Sequence, residues 1–172
     1  MLNRHSAYIG IGSNLGDKRE NFRKAADLIN SNSKCRIIKA SSIYETKPYG
    51  FEHSSNFLNA VMKIETEYSL QDLFGFLKRI EKKLGRKKSE KWTAREIDLD
   101  ILFYDNLIYS DQIITVPHKG ITGRDFVLLP LQEIEPDLIH PELKEKIADI
   151  STGHLEKNII RKILGKIIKK GI

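Results

Sequence analysis

Residues 92–106 read WTAREIDLDILFYDN, and how they fold decides the architecture of the chain. The stretch is apolar enough for a core strand, yet Asp98 and Asp100 stand two residues apart near its start. On a strand, side chains at i and i+2 share a face and lie roughly 6–7 Å apart along it. The same face continues into Leu102 and Tyr104, so it is expected to become buried. Two carboxylates entering a buried face repel each other unless a cation neutralises them.

The segments around this strand supply the rest of the fold. AYIGIGS (7–13) reads as a short strand with interleaved glycines. A helix then starts at Asp17, with Glu20 three residues on in a capping-box arrangement. Residues 36–46 are β-rich, and LNAVMKIET (58–66) alternates, placing Leu58, Ala60, Met62 and Ile64 on one face. SLQDLFGFLKRIEKKLG (69–85) is a helix with Ser69 as N-cap and Gly85 at its end. Residues 106–117 suggest a further strand pair, and RDFVLLPLQEI (124–134) begins helically. The order strand, helix, two strands, helix, strand predicts an α+β fold, a ferredoxin-like α/β sandwich with a mainly antiparallel sheet. Two irregular loops, KPYGFEHSSN and RKKSEKWTA, interrupt it. Loops of that length inside a domain are more often functional or mobile.

The 172 residues suit one domain. Cys35 is the only cysteine, which rules out an intramolecular disulfide and favours a reducing, cytoplasmic compartment. The N-terminus makes a poor signal peptide, and there is no apolar run long enough to span a membrane. The net charge of +6 is uneven: residues 78–95 carry +7 and residues 144–172 carry +5, leaving the remainder acidic. Such segments attract anions, whether nucleic acid, lipid or polyphosphate.

The paired aspartates discriminate among these. Mg²⁺ takes one or two carboxylates and completes its shell with water and phosphate oxygens, so a DxD strand beside a basic loop suits phosphoryl-type transfer. Lysines around Trp92 could instead track a nucleic-acid backbone, but such a groove has no need of the aspartates. GIGSNLGDK fits neither glycine-rich phosphate motif and is explained by a tight strand-to-helix turn. Among the histidines only His118, after a proline at a strand end, looks placed. Zinc lacks its usual ligand set.

Taken together, AYIGIGSNLGD, SSIYETKPYG, FLNAVMKIET, the GR…W…REIDLDI stretch, TVPH and GRDFVLLPLQEI resemble the 6-hydroxymethyl-7,8-dihydropterin pyrophosphokinases of folate biosynthesis. The resemblance runs in order from residue 7 to about 141. It implies transfer of pyrophosphate from ATP to the hydroxymethyl oxygen of 6-hydroxymethyl-7,8-dihydropterin, with release of AMP. By the family's pattern, Asp98 and Asp100 hold two Mg²⁺ ions, and Arg86 and Arg95 act with them as the catalytic set by contacting phosphate. Glu81, Lys88, Lys91, Trp92, Ile101, Thr115 and His118 fall where the family contacts ATP. Thr46 and Asn59 match the residues that hydrogen-bond the pterin edge. Phe57 and Phe126 match the aromatic pair around its ring, with Tyr49, Trp92 and Arg124 also at that substrate. The two irregular loops would close over the substrates.

Some positions depart from the pattern. Ile113 stands where a bacterial form carries arginine, Lys119 where tyrosine often follows the histidine, and Phe57 replaces a tyrosine. The basic loop is one residue shorter and uses Lys87, Lys88 and Lys91, point charges without arginine's fork. The expected organisation is a pyrophosphokinase domain over 1–142 and a basic amphipathic extension over 143–172, helical from 155 and docked on the same domain. The expected partners are the two small-molecule substrates, with neither nucleic acid nor membrane, in a monomer or weak homodimer.

Overall fold

The structure is a computed structural model, described for residues 4–48, 55–86 and 94–167. Its central sheet runs in the order β5 (Asp98–Tyr104), β1 (His5–Ser13), β4 (Phe57–Thr66), β3 (Ser42–Thr46), β8 (Ile159–Lys166), while β2 (Cys35–Ala40) also pairs with β4. Every one of these pairings is antiparallel. Helices α1 (Lys18–Asn30) and α2 (Leu70–Lys83) cover one face, and α3 (Asp125–Ile134) covers part of the other. A small hairpin, β6 (Tyr109–Ser110) with β7 (Thr115–Val116), joins β5 to α3.

Local sequence accounts for the helix bounds. The Asp17 carboxylate accepts from Glu20 N, and the Ser69 hydroxyl accepts from Asp72 N, so both N-termini are capped as expected. Gly85 ends the turn after α2 at φ +98°, where a Cβ would be strained.

Strand alternation sorts side chains into two cores. Ile9, Ile11, Leu58, Ala60, Met62, Leu99 and Ile101 pack beneath α1 and α2. Tyr8, Val61, Leu102 and Phe103 meet Val127, Leu128 and Leu131 of α3. The register of β5 against β1 slips beside Tyr8, so Leu102 and Phe103 both face α3. Tyr104 is consequently turned to the α2 side, where its hydroxyl donates to Tyr68 O at 2.8 Å. The expectation that Tyr104 shares the Asp98 face is corrected by this bulge.

A second correction concerns the tail. Residues 159–166 are strand β8, not helix, antiparallel to β3 with Thr46 opposite Ile159. Paired isoleucines and lysines fit either reading. The β-branched residues and Gly165 disfavour helix, and the edge of β3 offers backbone partners that a lone helix would lack. Ile147 and Ile150 are buried against α3, and Ile167 lies in the core under α1 and α2.

Candidate active site

A cavity of about 400 Å³ opens on the α3 face of the sheet. Its floor exists because bulk stops early on β1. Tyr8 fills this face beside Phe103, but the next two residues pointing the same way are Gly10 and Gly12. They pair with Asp100 and Asp98 on one side and with Val61 and Asn59 on the other. A Cβ on Gly12 would sit 2.9 Å from the Asn59 Oδ1. The glycines read as a tight turn are therefore the floor of the site, and of that motif only Gly16, at φ +67°, is in the left-handed region.

The two aspartates line the cavity in different states. Both Asp98 oxygens are engaged: Oδ1 by Arg86 and Oδ2 by Arg95 Nη1 at 2.6 Å. Burial pushes the Asp98 carboxyl upward and the charge of Asp100 adds to this, while the two guanidiniums oppose them. Asp100 is more open, with Lys78 Nζ 3.9 Å away. Among the described residues no cluster of three or more His, Cys, Asp or Glu could enclose a metal. Two hard carboxylates on one strand face still fit an ion that keeps water and phosphate in its shell.

Behind them, Glu81 is 3% exposed and does not line the cavity. Its carboxylate accepts from Leu99 N at 2.7 Å and Lys78 Nζ at 2.8 Å, and pairs with Arg86 at 2.5 Å. It holds Arg86 and the start of β5 from below. The Arg95 segment is fixed from the other side. Arg95 N donates to Asn14 Oδ1 at 2.7 Å, Asn14 N donates to Arg95 O at 3.1 Å, and Asn21 Nδ2 donates to Glu96 O at 2.9 Å. Neither asparagine carried a signal in the sequence beyond Asn14's place in the SNLGD stretch; Asn21 reads as one more polar residue of α1.

At the other end, Asn59 Nδ2 donates to Thr46 Oγ1 at 2.8 Å. That bond orients the amide so that Oδ1 remains an acceptor. Phe57 from the start of β4 and Phe126 from α3 also line the cavity, and the Arg124 guanidinium lies 6.0 Å from the Phe126 ring. His118 joins them because its N–H donates to the bulged Leu102 carbonyl at 2.9 Å. Its Nδ1 accepts from Gly120 N at 2.9 Å, which assigns the ring proton to Nε2. Burial pushes the pKa of this histidine down, consistent with a neutral ring.

Nine expected residues thus share one cavity: Thr46, Phe57, Asn59, Arg95, Asp98, Asp100, His118, Arg124 and Phe126. Four other described ones do not line it: Glu81, Arg86, which meets the site only through its pairing with Asp98, and two placed on other parts of the fold. The Ile101 side chain lies in the core on the opposite face of β5, and the Thr115 hydroxyl meets Ser110 Oγ at 3.0 Å in the hairpin, outside the cavity wall. Tyr49, Lys88, Lys91 and Trp92 lie outside the described residues.

Residues 8–136 match the family model for 7,8-dihydro-6-hydroxymethylpterin-pyrophosphokinase. The chain is 40% identical over 144 residues to a 2-amino-4-hydroxy-6-hydroxymethyldihydropteridine pyrophosphokinase of Aquifex aeolicus, covering 84% of this chain and 89% of that protein. It is likewise 40% identical over 150 residues to one of the same name from Haemophilus influenzae, covering 84% and 94%. Among solved structures, a Plasmodium falciparum HPPK-DHPS crystallised with pteroate matches at TM-score 0.66 and 16% identity, over 86% of this chain and 42% of that one. At that identity the likeness speaks to the fold alone.

Proposed function

The chain belongs to the 7,8-dihydro-6-hydroxymethylpterin-pyrophosphokinase family, and from that premise we propose that the cavity on the α3 face is its active site. The reaction is pyrophosphoryl transfer to hydroxymethyldihydropterin in folate biosynthesis, with ATP as co-substrate. The observation that carries the site assignment is that the paired aspartates and the Thr46–Asn59 pair open on one cavity of about 400 Å³.

In this reading the pterin lies between Phe57 and Phe126, its N–H edge donating to Asn59 Oδ1. The hydroxymethyl oxygen points toward Asp98 and Asp100. It attacks the β-phosphorus of ATP, and the bond to the α–β bridging oxygen breaks to leave AMP. Asp98 and Asp100 would hold Mg²⁺, two ions by the family's pattern, which when bound screens the phosphate charge and supplies a Lewis acid. Arg86 and Arg95, which here neutralise Asp98, turn to phosphate oxygens when nucleotide enters. His118 offers its Nε2–H as a neutral donor to the same phosphates. Lys88, Lys91 and Trp92 would close over them. Glu81 acts from beneath by holding Arg86, and of Ile101 only the backbone can face nucleotide. We further read residues 1–142 as the pyrophosphokinase domain with 143–172 docked on it, in a cytoplasmic monomer or weak homodimer.

Steady-state turnover of Asp98→Asn and Asp100→Asn tests the assignment. Each is expected to lower kcat by about 10²–10³, the scale of one lost electrostatic stabiliser. Melting should move little, because the Asp98 carboxylate is already costly to bury and Arg86 keeps Glu81. Turnover near wild type in either variant would remove the aspartates from the mechanism.

A further inference from the structure

We propose that Asp125 is a positioning residue that sets the width of the pterin slot, by tying the first turn of α3 to the strand that borders Thr46. This rests on the assignment of the cavity above.

Asp125 is the first residue of α3 and is 6% exposed. It stands between two residues of the cavity wall, Arg124 and Phe126. Its Oδ1 accepts from Phe126 N at 2.7 Å, and its Oδ2 accepts from Asn158 N at 2.8 Å and Ile159 N at 2.9 Å. Three backbone donors converge on one buried carboxylate, an arrangement of charge-assisted bonds about twice as strong as neutral ones. The receiving segment then reaches the opposite wall. Asn158 O accepts from Lys47 N at 2.9 Å, and Ile159 stands opposite Thr46 in the β3–β8 register. Both Thr46 and Lys47 line the cavity.

A continuous path of hydrogen bonds therefore runs from Phe126, through Asp125 and residues 158–159, to Lys47, the chain neighbour of Thr46. Phe126 bounds the proposed ring slot on one side, and Thr46 fixes Asn59 on the other. The aspartates and the arginines that meet phosphate are not on this path. Loss of the tie should consequently relax the pterin end and leave the nucleotide end in place. Residues 158 and 159 also lie beyond the part of the chain that matches the family model, which ends at 136. The extension so acquires a role in the reaction although none of its described residues lines the cavity.

The decisive variant is Asp125→Asn in the full chain. An amide keeps the shape but has one acceptor oxygen, so at least one of the three N–H groups faces an N–H₂. Binding of α,β-methylene-ATP with Mg²⁺, and then of 6-hydroxymethyl-7,8-dihydropterin to that complex, is measured by calorimetry on wild type and variant. The expected result is a pterin Kd raised about tenfold, with the nucleotide Kd within twofold of wild type. Loss of melting temperature with both affinities unchanged, or both weakened together, would overturn the proposal. Should Asp125→Asn fail to fold, Ile159→Pro carries the same test. It deletes one of the two Oδ2 donors at the first residue of an edge strand, where proline is tolerated, and the same split between ligands is expected. Wild-type uptake of pterin is the control. Its failure would sink the cavity assignment and this proposal with it, whereas normal wild-type uptake matched by the variant would sink the positioning role alone.

Discussion

At Gly12 a hydrogen atom stands where any other residue would place a carbon 2.9 Å from the Asn59 Oδ1. That oxygen is the acceptor we assign to the pterin edge, and its amide nitrogen is already committed to Thr46. Gly12→Ala should therefore push Asn59 off Thr46 and weaken pterin binding about tenfold, the scale of one hydrogen bond lost. Gly10→Ala is the comparison. Its Cβ would have the Leu102 side chain as its nearest neighbour, at 3.4 Å, rather than Asn59, so a smaller loss is expected. Fluorescence titration of pterin in the presence of an ATP analogue measures both, and equal affinities for Gly12→Ala and wild type would remove Asn59 from recognition. These positions also mark what the sequence could disclose. Asp98 and Asp100 were legible because carboxylates contradict the apolar strand around them. Gly10 and Gly12 were not, since a side chain that is absent reads the same whether it frees a turn or empties a floor. Thr46, Asn59 and the two phenylalanines came only through family resemblance; nothing in their local pattern separates them from core and loop residues.

At the scale of elements, periodicity was a sound guide where one face is buried and the other is not. The helices α1 and α2 follow their capping residues and apolar stripes, and β4 follows its alternation. The signal failed at two places for different reasons. The β5 bulge leaves no trace in composition, because Leu102, Phe103 and Tyr104 suit either face. In the tail, isoleucine pairs match a helical stripe, but the open edge of β3 decides for strand by supplying backbone partners. The strand makes a prediction that the helix does not. Ile160 is 47% exposed whereas Ile167 is 7% exposed, although a helix would put both on one stripe, seven residues apart. Ile160→Lys should shift unfolding free energy by under about 0.5 kcal/mol, and Ile167→Ala should lower it by about 2–4 kcal/mol. Urea denaturation distinguishes them; comparable losses in the two would return the tail to a helix.

For the molecule as a whole, the site sits where the sheet is least filled and most charged, so ligands should stabilise the fold in a metal-dependent way. Asp98 illustrates the balance. Its carboxyl is pushed up by burial and by Asp100, and two arginines offset that cost. If nucleotide draws those arginines to phosphate, Asp98 and Asp100 are left needing another cation, and nucleotide and Mg²⁺ must bind as a coupled pair. Ligand at about 100 times its Kd adds about 2.7 kcal/mol to unfolding. For a domain of this size that is a rise in Tm of about 5–10 °C. α,β-Methylene-ATP is expected to give this rise with Mg²⁺ present and to lose most of it when a chelator is added. Asp100→Asn should lose the metal-dependent part and keep the remainder, because Arg86 and Arg95 still meet phosphate. Differential scanning calorimetry of the two proteins, with and without chelator, reads both effects in one series. An equal rise in Tm with and without Mg²⁺ would mean that the arginines alone carry the nucleotide, and that the paired aspartates of β5 serve something other than a metal.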